Sequence, residues 1–92
     1  MKLLKVIKAK YVNDYKINLL FNNQYSAIVD LQDSIFSDKR EIFKQLQDID
    51  FFKSFTQNSW TVEWENGIDL APEFLYDLAM KQTKAHNFEY KQ

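Results

Sequence analysis

The chain has 92 residues, of which 46% are apolar and 16% aromatic, and its 13 acidic and 12 basic side chains leave a net charge of −1. That size admits one hydrophobic core and no second lobe, and the aromatic load excludes a disordered chain. The lack of cysteine excludes disulfides, thiolate metal sites and cysteine nucleophiles, and a single Gly excludes a Gly-rich phosphate loop.

The run Leu3–Val12, in which lysines interrupt Leu, Val and Ile, predicts a first strand whose lysines mark a sheet edge. Those lysines also break up any signal-like or membrane-spanning stretch, so a cytoplasmic location is expected. Tyr15, Ile17, Leu19 and Phe21 recur at period two, and Tyr25, Ala27, Val29 and Leu31 repeat the pattern. Together they predict a hairpin turned at Asn22-Asn23, a pair that tolerates positive φ. Beyond Leu31 the period changes. Asp38 and Glu41 have capping-box spacing, which predicts a short helix burying Ile42, Phe43 and Leu46.

Phe51, Phe52 and Phe55 fit either period, and a strand is expected over Phe52–Gln57. After a turn at Asn58-Ser59, Trp60–Trp64 alternates, sending Trp60, Val62 and Trp64 to the core and Thr61, Glu63 and Glu65 to solvent. Asn66-Gly67 supplies a sharp turn. Pro72 then opens a helix to Lys81, with Phe74, Leu75, Leu78 and Ala79 closing over the sheet and over both tryptophans. The polar residues 83–92 are expected to fray. The expected class is α+β: one domain, residues 1–92, in which a small antiparallel sheet, the hairpin plus further strands, packs against two short helices.

Within Trp64–Tyr76 most residues have a local purpose. Gly67 permits the turn, Asp69 is placed to accept backbone N–H groups near the helix start, Pro72 presets φ, and Glu73 complements the positive helix end. The run Trp64-Glu65-Asn66-Gly67-Ile68-Asp69-Leu70-Ala71-Pro72-Glu73-Phe74-Leu75-Tyr76 resembles the signature of a bacterial family, domain of unknown function 2442. The matching residues include Trp64, Asn66, Gly67, Asp69, Pro72, Glu73 and Leu75. Glu65 stands where that family usually has Pro, which leaves the turn less rigid, and Asn23 stands where Gly is frequent. The resemblance covers Tyr11 to Leu78 and implies an antiparallel sheet with two helices, but no activity. Some members resemble partners of another small protein, in an arrangement similar to a toxin–antitoxin pair, which implies a protein partner here.

No catalytic, cofactor or metal site is expected. The one histidine, His86, sits in the polar tail and is read as solvent-exposed, and neither an EF-hand loop nor a two-His helix motif is present. Glu63 and Glu65 lie two apart on a strand and read as a solvated face rather than an acid–base pair. Charge is segregated: residues 1–16 carry Lys2, Lys5, Lys8, Lys10 and Lys16 against Asp14, a net of +4. Residues 58–77 carry Glu63, Glu65, Asp69, Glu73 and Asp77 with no basic side chain, a net of −5. The leading expectation is a non-enzymatic protein-interaction module that uses those five carboxylates to steer a basic partner. Homo-oligomerisation stays open. The rival is a weak nucleic-acid binder in which the first four lysines meet phosphate and Tyr11 and Tyr15 stack on bases, against which a pI near 5.7 weighs.

Overall fold

The computed structural model describes residues 3–91, and the side chains of residues 3–83. Strands β1 (Val6–Asn13), β2 (Lys16–Phe21) and β3 (Ser26–Asp30) form an antiparallel meander in the order β1-β2-β3. β2 sends Ile17, Leu19 and Phe21 inward as period two requires, and Val29 of β3 joins them. In β1, strict alternation from a buried Val6 would turn Lys8 and Lys10 into the core. The register instead slips at Ile7: Val6 lies opposite Phe21 and Lys8 opposite Leu20. One extra residue thus returns the lysines to solvent while Ala9 and Tyr11 face inward.

The β2–β3 connection is a three-residue loop. Phe21 N–H donates to the Tyr25 carbonyl at 2.8 Å and Gln24 N–H to the Phe21 carbonyl at 3.0 Å. The positive φ falls on Gln24, at 76°, and not on the asparagine pair expected to carry it. The asparagines serve through their side chains. Asn22 Oδ1 accepts from Lys5 N–H at 3.0 Å, its Nδ2 donates to the Leu3 carbonyl at 2.7 Å, and Asn23 Oδ1 accepts from Tyr25 N–H at 3.0 Å.

A second layer covers the inner face. Helices α1 (Gln32–Ser37), α2 (Glu41–Lys44) and α3 (Ile49–Phe52), with a 3₁₀ turn at Gln45–Gln47, contribute buried Ile35, Leu46 and Phe52. Tyr15 links the layers: its hydroxyl donates to the Gln47 carbonyl, and its ring meets Phe36 and Phe52 edge-on, each at 5.3 Å. Strands β4 (Thr56–Gln57) and β5 (Val62–Glu63) pair separately, and Val6 N–H donates to the Trp60 carbonyl at 2.9 Å, tying that ribbon to β1. Helix α4 (Pro72–Lys91) buries Leu75 and Ala79 and lays Tyr76 against Phe21 at 5.0 Å and Tyr25 at 5.4 Å. Its Gln82 carboxamide imitates a neighbouring strand, donating to the Asp30 carbonyl and accepting from Asp30 N–H, both at 2.9 Å.

The α+β class stands, with corrections in detail. Four α-helices replace two. The Asp38 carboxylate does not cap the helix as expected: Arg40 holds the N-cap position, with no side-chain cap bond, and Asp38 accepts from Arg40 N–H instead. Ile42 is exposed and Phe43 half-buried, leaving Leu46 as the buried member of the expected stripe. The strand expected over Phe52–Gln57 shrinks to Thr56–Gln57, because Asp48 caps a turn of helix over Ile49–Phe52. α4 continues to Lys91, ten residues past its expected end; the fraying expected of residues 83–92 falls almost wholly outside the residues whose side chains are described.

Candidate interaction site

The motif begins where the Trp60–Trp64 alternation fails. Asn58 Oδ1 accepts from both Trp60 N–H (2.8 Å) and Thr61 N–H (2.7 Å), bending the chain before β5. Consequently Thr61 and Val62 are buried in succession and Trp60 is 43% exposed, correcting the expected placement of Thr61 in solvent and of Trp60 beneath the last helix. The Thr61 hydroxyl donates to the Leu70 carbonyl at 2.5 Å. Trp64 is buried, with its ring against Phe52 (5.9 Å) and Phe55 (6.1 Å), and its Nε1 donates to the Phe52 carbonyl at 2.8 Å.

A tight turn follows. Gly67 N–H donates to the Trp64 carbonyl at 3.0 Å, Trp64 N–H donates to the Ile68 carbonyl at 2.9 Å, and Gly67 takes φ +95°. Asn66 fixes the turn twice. Its Oδ1 accepts from Ile68 N–H at 3.1 Å, while its Nδ2 donates to the Ile42 carbonyl (3.2 Å) and to Gln45 Oε1 (2.7 Å), clamping the motif onto α2. From the sequence only the turn role of Asn66 is legible, since a partner 24 residues away leaves no local signal.

The strap from Ile68 to buried Pro72 walls a groove of about 490 Å³ opposite α1 and the start of α2. Leu31, Ile35, Phe43, Leu70 and Ala71 line its apolar part, and Phe74, 42% exposed, stands beside it. Phe74 was expected on the buried face. The buried stripe of α4 runs instead through Pro72, Leu75 and Ala79, which puts Phe74 at its margin. At the polar end, Arg40 grips Asp38 bidentately, Nε to Oδ1 at 3.0 Å and Nη2 to Oδ2 at 2.8 Å, with its guanidinium 4.5 Å from the Phe43 ring centre. The Arg40 side-chain hydrogen bonds hold the Asp38 carboxyl below the ordinary aspartate range, with the Arg40 backbone N–H assisting.

The five carboxylates expected to form one surface fare differently. Glu63 is half-buried and accepts from Asn58 Nδ2 at 2.5 Å, so it is not the solvent-facing group expected. Asp77 pairs with Lys81 at 3.0 Å. Glu65, Asp69 and Glu73 are exposed, and none of the described hydrogen bonds or ion pairs uses their carboxylates. Asp69 therefore does not accept the backbone bonds expected of it near the helix start. A backbone bridge joins Glu63 to Asp69, and Asp69 enters the groove with Arg40 and Phe74, two residues that the sequence analysis left out of the surface. The signal for Arg40 was its spacing from Asp38, an Asp-x-Arg pair at the mouth of a predicted helix.

Lys8 and Lys10 are exposed on the outward face of β1. Tyr11 and Tyr15 face the core, Tyr11 lying 6.2 Å from Phe52. His86 and Lys2 lie outside the residues whose side chains are described. Among the described residues no cluster of three His, Cys, Asp or Glu side chains could hold a metal ion, and no helix is long and apolar enough to cross a membrane. No curated protein and no solved structure matches the chain. The family model described as protein of unknown function, DUF2442, matches residues 6–81, across both layers and through the motif turn, and the chain belongs to that family.

Proposed function

We propose that this chain is a non-enzymatic protein-interaction module of the cytoplasm that docks a partner against the motif turn and the groove beside it, in an accessory or antitoxin-like role. One observation carries the reading: an apolar groove lies open between α1 and the motif strap, flanked by the uncommitted Asp69 carboxylate and the exposed Phe74 ring. Arg40, the basic residue in that lining, is neutralised by Asp38, so the field offered to a partner is that of Asp69 with Glu65 and Glu73 nearby in sequence. An apolar anchor flanked by lysine or arginine suits such a site. Catalysis fits it poorly, because among the described residues the groove holds no nucleophile hydrogen-bonded to a base; the Ser37 hydroxyl donates to the Ser34 carbonyl.

The experiment places a photo-crosslinking amino acid at Phe74, and in a control at exposed Lys53, in the native cell. A single protein captured from position 74 and absent from position 53, with its yield reduced by E65K/E73K, is the expected result. Equal capture at both positions, or no protein product from position 74, removes the reading. The rival, nucleic-acid binding through the first strand, is less well supported because Tyr11 and Tyr15, the rings it would stack on bases, lie on the face away from Lys8 and Lys10.

A further inference from the structure

Among the described residues, one face of the three-stranded sheet is bordered only at its margins, by Gln57 of β4 and by Gln82 and Thr83 of α4. Across it, Lys8 lies opposite Leu20 and Leu20 opposite Ser26, Lys10 opposite Asn18 and Asn18 opposite Ile28, and Lys16 opposite Asp30. A solvated face of an antiparallel sheet ordinarily reads polar throughout. Here Ile28 is 53% exposed, Val12 is exposed, and Leu20 sits between two polar neighbours. Asp30 opposes Lys16, whereas Lys8 and Lys10 face no acidic side chain on this sheet and enter none of the described ion pairs. The face is hollowed rather than flat, with shallow depressions of about 520 Å³ around Lys8 and Lys10 and about 600 Å³ around Lys16 and Ile28.

The motif turn belongs to the other layer, beyond the core, and has the opposite character. Its tip protrudes: a Cβ built on Gly67 meets nothing within 4 Å. Glu65, Asp69 and Glu73 are exposed and uncommitted, with the exposed apolar side chains Ile42 and Phe74 beside them. An acidic, partly apolar motif turn, with depressions of about 490 and 240 Å³ beside it, and a basic, partly apolar sheet face are thus carried on one chain whose net charge is −1.

We infer that the outward sheet face receives the motif turn of a second copy of this chain, so that copies join head to tail. This rests on the reading of the motif turn as a docking surface and names its occupant. Glu65 and Glu73 of one copy meet Lys8 and Lys10 of the next, while Phe74 and Ile42 cover Leu20 and Ile28. Near-zero net charge leaves little overall repulsion to oppose the contact. A nucleic acid on the same lysines would leave Val12, Leu20 and Ile28 without apolar partners, and Tyr11 and Tyr15 lie on the other face of the sheet. The contact is heterologous, so each joined pair keeps one free face of each kind and growth passes beyond the dimer unless a ring closes. A contact of roughly 600 to 800 Å² per copy is at the small end for specific association, so the assembly is weak and salt-sensitive.

Sedimentation velocity of the full chain tests this over a concentration series at low and high salt. At low salt the average mass should rise past the dimer with concentration, and at about 0.5 M salt it should fall back to the monomer. K8E/K10E and E65K/E73K should each be monomeric, weakened at least ~10-fold, because like charges then face each other. An equimolar mixture of the neutral pairs K8A/K10A and E65A/E73A should form a dimer and stop there, since each keeps one working face and the neutralised faces do not attract each other. Circular dichroism establishes that both variants fold; all four positions are exposed, and the alanine pairs K8A/K10A and E65A/E73A replace any charge reversal that does not fold. A wild-type chain that stays monomeric at low salt, a mixture that does not associate, or oligonucleotide binding lost in K8E/K10E overturns the inference. Should the chain be monomeric while position 74 still captures a different protein, the inference alone falls and the interaction reading stands.

Discussion

Replacing Trp64 with alanine tests whether the motif is anchored through its aromatic core. Trp64 is 2% exposed, its ring is held between Phe52 and Phe55, and its Nε1–H is the donor that satisfies the Phe52 carbonyl. Deleting a buried aromatic costs about 3 to 5 kcal/mol through lost burial and the cavity left behind. The Phe52 carbonyl also loses its indole partner, a penalty of about 1 to 3 kcal/mol where water cannot replace it. A chain of this length has roughly 5 to 14 kcal/mol in total, so Trp64→Ala should remove a large share of the native stability. Urea denaturation followed by circular dichroism measures it, with Trp60→Ala as the contrast. Trp60 is nearly half exposed and its structural bonds come from backbone atoms, so its truncation should cost under about 1 kcal/mol. Trp64→Phe keeps a ring and deletes the donor, and should fall between the two. The reasoning fails if Trp64→Ala loses less than about 1 kcal/mol, or if the two tryptophans prove equally costly.

Gly67→Ala should destabilise by about 1 kcal/mol in the same assay, entirely through its φ of +95°, because the added methyl meets no neighbour. Equal stability of the two proteins would mean that the turn relaxes without cost. Gln82→Ala removes both bonds that close the β3 edge at Asp30, so amide exchange at Asp30 should quicken several-fold while exchange at Val29, which is bonded to β2, changes less. The Asp38 carboxyl should titrate below the ordinary aspartate range by NMR and return to that range in Arg40→Ala. Its depressed folded value means that the contribution is present above the unfolded pKa and lost as pH falls through the folded one. A wild-type Asp38 titrating as an ordinary aspartate would show that the pair does not persist in solution.

The hairpin was legible because β2 and β3 bury a strictly alternating set, from Tyr15 to Phe21 and from Ala27 to Leu31, that no distant contact disturbs. Strand β1 was legible as a strand but not in its facing, which register slips at Ile7 and Val12 decide. The Trp60–Trp64 error has a definite physical source. Alternation assumes an unbroken strand, and the Asn58 side chain breaks it by taking two consecutive backbone donors. Helix α1 escaped notice because it has no side-chain cap and buries only Ile35. Helix α4 outran its expected end because nothing from Gln82 to Lys91 is Gly or Pro, so the polar composition that suggested fraying carries no helix breaker. The groove was out of reach for another reason: it assembles Leu31, Arg40 and Phe74, side chains spread over more than forty positions, with its strap held by distant contacts such as the Asn66 clamp.

The residues of the family signature divide by the work their side chains do. Trp64 fills the core, Asn66 clamps α2, Gly67 takes a φ that costs other residues strain, and Pro72 and Leu75 are buried at the start of α4. Each of these is accounted for by folding alone, and substituting any of them would confound binding with stability. Asp69 and Glu73 are different. Both are exposed, and their carboxylates enter none of the described bonds, so folding gives no equivalent reason for an acidic side chain at either place beyond a helix-dipole contribution of about 0.3 to 1 kcal/mol for Glu73. Asp69 does not have even that, since its carboxylate was expected to accept near the helix start and does not. A side chain that the fold leaves unused at the lip of an apolar groove is the place where a substitution reports on binding with least disturbance of structure. Asp69→Asn, which keeps size and removes charge, is therefore the cleanest single probe of the motif surface. It should leave urea stability within about 0.5 kcal/mol of wild type while lowering crosslinking from position 74, and a stability loss beyond 1 kcal/mol would return Asp69 to the structural set.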